Sequence, residues 1–296
     1  MMPWRQIGDQ FDELGESPVW SVREQALYWV DIRGPAVRRW TPASGRFDRW
    51  PMPALVGSVA LVDDGRLLVA LPRQVALFDL ASGQFETLAE PPSVQPEQRF
   101  NDGRCDRRGR FWVGTMNHVT RAPEGSLYRL DSSADIRQML NNLCIPNGLA
   151  WSPDERTMYF ADSLGYQIFA YDFDAQAGTF SNGRSIARTV PPAIPDGATV
   201  DCEGFLWSAE YDGWRVVRYA PDGRIDRTIS LPVQRPTSCS FGGPDLDRLY
   251  VTSATQKLSA QELAAQPLAG ALFEVDAGVR GLPEPLFAIG RPAQVV

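Results

Sequence analysis

The sequence predicts an all-β fold, a six-bladed β-propeller with four antiparallel strands per blade around a central channel, and three observations point to it. A short segment centred on a small residue recurs six times, at Ser17, Gly57, Gly103, Gly148, Gly197 and Ser238, with spacings of 40 to 49 residues. Each copy leads into a strongly apolar run rich in aromatic and β-branched residues. No long window carries a helical period. A strand-rich repeat in the forties is the pattern of propeller blades, each of which buries its faces only against its neighbours.

The elements of one copy follow in a fixed order. The opening segments are Glu16-Ser17-Pro18, Val56-Gly57-Ser58, Asp102-Gly103-Arg104, Asn147-Gly148-Leu149, Asp196-Gly197-Ala198 and Thr237-Ser238-Cys239. Second strands are expected over 26–30, 66–70, 110–114, 157–161, 204–208 and 248–252, bounded by Asp-Gly or Asp-Arg turns. Third strands are expected over 37–40, 75–78, 126–129, 168–171, 216–219 and 271–274. A more polar fourth strand follows, as at 85–88 and 225–228. The ring should close through Trp4-Arg5-Gln6-Ile7 and the last copy, with either terminus able to supply the outer strand. Residues 259–265, with Ser259 as N-cap, read as a short helix inserted in the sixth copy. The repeat leaves no linker, so one propeller domain over 1–296 is expected.

Composition narrows the chemistry. The net charge is −7 with a pI near 4.9, and no basic cluster appears, which argues against a nucleic-acid partner. No stretch approaches the roughly 18 apolar residues of a membrane helix. The start, Met1-Met2-Pro3-Trp4-Arg5, lacks the apolar core of a signal peptide, so a cytoplasmic location is expected. Cys105, Cys144, Cys202 and Cys239 match no metal-binding spacing and read as buried free thiols. His118 is the only histidine. A Ser-His-Asp triad would have to pass through it, and a multi-histidine zinc site is excluded. Carboxylates, amides, arginines and a bound ion are left to do the chemistry.

In a propeller the first strand of each blade lines the channel. The residues just before the six marks are Glu16, Val56, Asp102, Asn147, Asp196 and Thr237, and equivalent positions should meet at similar depth. Three carboxylates and an amide converging there would repel one another unless a cation sat among them. An all-oxygen set suits Ca²⁺, Mg²⁺ or Mn²⁺, and Zn²⁺ or Fe²⁺ is also compatible. Asp and Asn before Gly are also ordinary turn residues. Glu16, set in the apolar stretch Leu14-Gly15-Glu16-Ser17-Pro18-Val19-Trp20, is not. The small residues Ser17, Gly148 and Gly197 are expected to let a substrate approach the backbone.

That stretch, together with Arg99-Phe100-Asn101-Asp102-Gly103, Gly109-Arg110-Phe111-Trp112-Val113-Gly114-Thr115-Met116, Pro146-Asn147-Gly148-Leu149-Ala150-Trp151-Ser152-Pro153-Asp154 and Pro195-Asp196-Gly197, resembles the SMP-30/gluconolactonase/luciferin-regenerating family. The motifs run in order from about residue 14 to residue 290. The resemblance implies a propeller with one catalytic divalent ion that hydrolyses a sugar lactone to the aldonic acid. It implies Glu16, Asn147 and Asp196 as metal ligands, Asp196 also as general base, and Arg99 and Asn101 as substrate-binding groups. Asp102 and His118 are further candidates for touching substrate. The chain departs from animal-type members at Asn117-His118-Val119-Thr120-Arg121, where they carry a glutamate that touches substrate. Two other readings stand beside this one: hydrolysis of other esters or phosphotriesters on the same scaffold, and a propeller that only binds a partner.

Overall fold

The computed structural model describes residues 3–92 and 94–290; the ends of the expected domain span, including Met1 and Met2, lie outside them. Six four-stranded antiparallel sheets form the ring of a six-bladed β-propeller. The inner strands are Gly15–Ser21, Val59–Leu61, Gln98–Cys105, Pro146–Trp151, Ile194–Val200 and Pro236–Gly242, which begin blades 1 to 6. The expected second and third strands all form, each within a few residues of the sequence reading. Trp4–Ile7 settles how the ring closes. It is the outer strand of blade 6, pairing antiparallel with Leu272–Asp276 so that Trp4 faces Val275 and Ile7 faces Leu272. The inserted helix is Ala260–Ala265, started by a capping box in which Ser259 and Glu262 satisfy each other's backbone amides.

Six hydrophobic clusters hold the ring, one at each junction between neighbouring blades. Val30 and Val37 of blade 1 pack with Val69 and Phe78 of blade 2. Trp20 and Trp29 of blade 1 pack with Tyr250 and Leu272 of blade 6, across the seam that the N-terminal strand completes. Some of the buried tryptophans find a carboxylate for the indole N–H. Trp112 finds Asp106 at 2.9 Å and Trp207 finds Asp201 at 2.8 Å, each acid also accepting from an arginine, Arg110 or Arg218. All four cysteines are free thiols, but only Cys105 and Cys239 are buried. Cys202 is exposed because it stands in the turn after Asp201, at the rim of blade 5 rather than on its strand.

Gly197, expected to let a substrate approach the backbone, shares a different job with Gly57 and Gly103. A β-carbon on Gly57 would meet the Phe100 carbonyl oxygen at 2.4 Å, one on Gly103 the Ser58 Oγ at 2.6 Å, and one on Gly197 the Ser238 Oγ at 2.1 Å. Each contact is with the innermost segment of an adjacent blade. The small residues let neighbouring inner strands approach one another around the axis, and the space above them is left to other side chains.

A strap follows the last strand and crosses the opposite end of the channel. It hydrogen-bonds to blades 5 and 6 through Arg280 and Gly281, then to blades 2 and 3 through Phe287 and Ala288. Midway, Glu284 takes a hydrogen bond from Arg104 at 2.6 Å, and Arg104 also reaches Thr199 and the Cys239 carbonyl. Phe287 is fully buried between blades 2 and 3. Its truncation in Phe287→Ala should cost about 3–5 kcal/mol, read as a lowered urea midpoint with little change in slope. An unchanged midpoint would mean that the strap is not part of the cooperative unit.

Candidate functional site

Most of the inner strands carry a β-bulge at the marked position. Register shifts fall between Glu16 and Val19, Phe100 and Gly103, Asn147 and Ala150, Pro195 and Ala198, and Pro236 and Cys239. A bulge turns a side chain out of the regular alternation. Here the turned residues include Glu16, Asn147 and Asp196, from blades 1, 4 and 5. All three line one cavity of about 70 Å³ at the end of the channel where the inner strands begin, together with Arg99 and Asn101 of blade 3. Ser17 holds φ at 51°, an uncommon conformation for a residue other than glycine. It is kept there by two contacts. Its amide donates to the Glu16 carboxylate at 2.9 Å, and its hydroxyl accepts from the Val59 amide at 3.1 Å in blade 2.

A buried chain of hydrogen bonds sets the orientation of the amides. Arg99 Nη1 donates to Asn101 Oδ1 at 2.9 Å, and Asn101 Nδ2 donates to Asn147 Oδ1 at 2.9 Å and to the Pro146 carbonyl at 3.0 Å. Asn147 Nδ2 donates to Ser163 Oγ at 2.8 Å, and Ser163 Oγ donates to the Pro195 carbonyl at 2.8 Å. The chain runs from blade 3 through blade 4 to the strand that bears Asp196. Both Asn101 amide hydrogens are committed within it, so Asn101 offers a ligand only its oxygen. Asn147 Oδ1 keeps one lone pair free.

Two expected site residues are elsewhere. Asp102 is buried but does not line the cavity; its carboxylate accepts from the Leu149 amide at 3.2 Å and so straps blade 3 to blade 4. The expected ring of three carboxylates is therefore two carboxylates and an amide. His118 is half-buried on the loop after Phe111–Asn117 and does not line the cavity either. Conversely, Arg121, Ser163, Tyr211 and Gln256 line the cavity without having been singled out. Arg121, Ser163 and Gln256 stand on loops between second and third strands, where length varies from blade to blade and no repeat position marks them.

The electrostatics are those of acids held out of water. The Glu16 carboxyl is pushed up to about 8, first by burial and then by Asp102, with Arg99 pulling the other way. Asp196 is driven well above the ordinary carboxylate range by burial and by Glu16. Arg99 is depressed to about 10, by burial first and then by the charge of Arg33. Among the described residues no three His, Cys, Asp or Glu side chains form a metal cage by themselves. The oxygen set at the axis is mixed: two carboxylates whose mutual repulsion a cation would relieve, and an amide oxygen with a free lone pair. A hard divalent ion fits that donor set, with water completing its shell.

A six-bladed propeller whose bulged inner strands aim acids and amides into one end of its channel defines a class of small-molecule site. The sequence pattern described as SMP-30/Gluconolactonase/LRE-like region matches residues 14–255, and the chain belongs to that family. It is 43% identical to a 6-deoxy-6-sulfogluconolactonase of Pseudomonas putida over 93% of this chain and 95% of the relative. It is 39% identical to regucalcin of Gallus gallus over 95% and 97%. The crystal structure of a calcium-binding protein, regucalcin, from Agrobacterium tumefaciens superposes with a TM-score of 0.92 at 30% identity, over 97% of this chain and 98% of that one. Membership of a gluconolactonase-like family supports lactone hydrolysis. No helix among the described residues is long and apolar enough to cross a membrane.

The Glu16 carboxyl yields a pH prediction for metal-free protein. Its folded pKa of about 8 lies above the ordinary 4.5, so the folded chain holds a proton that the unfolded chain releases. The resulting stability is fully present below about 4.5 and is lost as pH rises through about 8. The melting temperature of chelator-treated protein should therefore fall across that window. Glu16→Gln, which cannot ionise, should flatten the fall, and a saturating divalent cation should raise the melting temperature most at the alkaline end. Equal slopes for both proteins would contradict the placement of Glu16 among repelling acids.

Proposed function

We propose that this protein hydrolyses a sugar lactone to its aldonic acid with the help of one divalent cation held by Glu16, Asn147 and Asp196. The observation that carries the reading is that these three residues, from three separate blades, share one buried cavity with Arg99 in a chain of a gluconolactonase-like family. Ca²⁺, Mg²⁺, Mn²⁺, Zn²⁺ and Fe²⁺ all accept such oxygen ligands. A cation bound there would supply Lewis-acid polarisation of the lactone carbonyl.

The residues supply the rest. Asp196 accepts a proton from the attacking water as its oxygen adds to the carbonyl carbon, and returns a proton to the ring oxygen as the C–O bond breaks. The products are the free hydroxyl and the acid. Arg99 anchors the sugar. Its Nη1 is fixed on the Phe100 carbonyl and Asn101, and its buried Nε has no partner among the described residues. A buried donor left unpaired costs free energy that a ligand oxygen recovers. Asn101 acts chiefly by holding Arg99 and Asn147 in place. The phosphotriesterase-like reading is disfavoured by the single histidine, which lies off the cavity.

A panel of aldonolactones followed by acid release with a pH indicator tests the reading. Chelation should stop turnover and an added divalent cation should restore it. Asp196→Ala should lower kcat by at least about 10²–10⁴-fold, the size of a lost general base. Full activity in thoroughly metal-stripped protein would sink the mechanism. Calorimetry should show that Glu16→Gln loses metal-dependent heat; absence of such heat in the unaltered protein would favour a propeller that only binds a partner.

A further inference from the structure

The mouth of the cavity is positively charged on a protein whose net charge is −7. Arg99 and Arg121 both line the cavity. Arg33 and Lys257 stand on loops at the same end of the ring, between the second and third strands of blades 1 and 6. His118 sits on the Arg121 loop with a buried Nδ1 that has no partner among the described residues. These groups feel one another. The charges of Arg33 and Arg121 depress both Arg99 and Lys257, after burial, and those of Arg99 and Arg33 depress His118. Arginines on this face that serve the fold are paired: Arg38 with Asp12 at 2.6 Å and Arg235 with Asp212 at 2.7 Å. Among the described residues, Arg33, Arg99, Arg121 and Lys257 have no carboxylate within 4.0 Å. The acids whose charge acts on the group are Glu16 and Asp196, on Arg99 from the floor, and Glu97 beside His118. Glu124, on the Arg121 loop, is held by Asn117, and Glu13 stands beside the Lys257 loop.

Gathering unpaired cations raises the energy of the folded protein through like-charge repulsion, and a matching anion removes the cost. The floor and the mouth also differ in sign. A lactone with its carbonyl among the floor acids and their cation would project its far end toward Arg121, Arg33 and Lys257. We propose that the substrate is a sugar lactone carrying an anionic substituent remote from the carbonyl, a sulfonate, phosphate or carboxylate, with Arg121 and Arg33 as its counter-charges. The inference rests on the lactonase reading and specifies which lactones that site prefers. Arginine suits the task, since its planar fork matches an oxyanion in two-point contact.

The test compares hexonolactones that share one ring and differ at C6: a neutral hydroxyl, a sulfonate, a phosphate and a carboxylate. At low ionic strength kcat/KM for at least one anionic lactone should exceed that for the neutral one by about tenfold or more, and the advantage should shrink as salt passes about 0.15 M. The paired substitution Arg33→Gln with Arg121→Gln should cut the anionic-to-neutral ratio by about tenfold, mainly through KM. The salt dependence of the unaltered protein reads the same field without relying on the variant's folding. Rapid hydrolysis of the neutral lactone, with no anionic preference and no salt effect, would overturn the inference and leave the lactonase reading intact. Failure to hydrolyse any of the four lactones with any of the divalent cations would overturn both.

Discussion

The close approach of neighbouring inner strands at the axis is the constraint on which the rest of this structure depends. At Gly57, Gly103 and Gly197 there is no room for a β-carbon between one blade and the next. Larger residues there would push the inner strands apart and widen the channel. Glu16, Asn147 and Asp196 come from blades 1, 4 and 5, so their meeting is set by how tightly the ring closes. The hydrophobic clusters between blades supply the closing force, and the small residues decide how far it acts.

That tightness has an electrostatic price. Two carboxylates are buried within reach of each other, and both resist ionisation. The surroundings keep them in place by polar contacts that no apolar core would need. Ser17 joins blade 1 to blade 2, Asn101 joins blade 3 to blade 4, and Ser163 joins blade 4 to blade 5. Groups so fixed do not reorganise when charge develops beside them, which is where preorganised sites obtain most of their advantage over water.

Much of the fold was legible in the sequence because each strand carries its own apolar pattern and each blade repeats it. Part of the axial column could be read too, since the offset that marks Glu16 also marks Asn147 and Asp196, and all three line the cavity. What lay beyond this needed the third dimension. Asp102 occupies the same offset as Asp196 and is likewise followed by glycine, yet its carboxylate is taken by the Leu149 amide, and nothing in the local sequence distinguishes the two fates. The small residue after a candidate ligand suggested room for substrate, whereas at Gly197 the space is filled by Ser238 from the next blade. Arg121 and Gln256 sit on loops with no common length and so no common register. Cys202 was expected to be buried and stands in an exposed turn. The strap falls after the last repeat, and Glu284 between two prolines gives no local hint of its partner Arg104.

The strap carries one further implication. With the far end of the channel crossed by residues 280–288 and fastened at Glu284 and Phe287, traffic is confined to a single doorway. On the proposed lactonase reading, the product must leave by the way the lactone came, past Arg99 and Arg121, as an acid with one more negative charge than it brought. On that reading the arginines that draw an anion in would also hold the acid back, and turnover would become a compromise between a doorway that welcomes anions and one that lets them go.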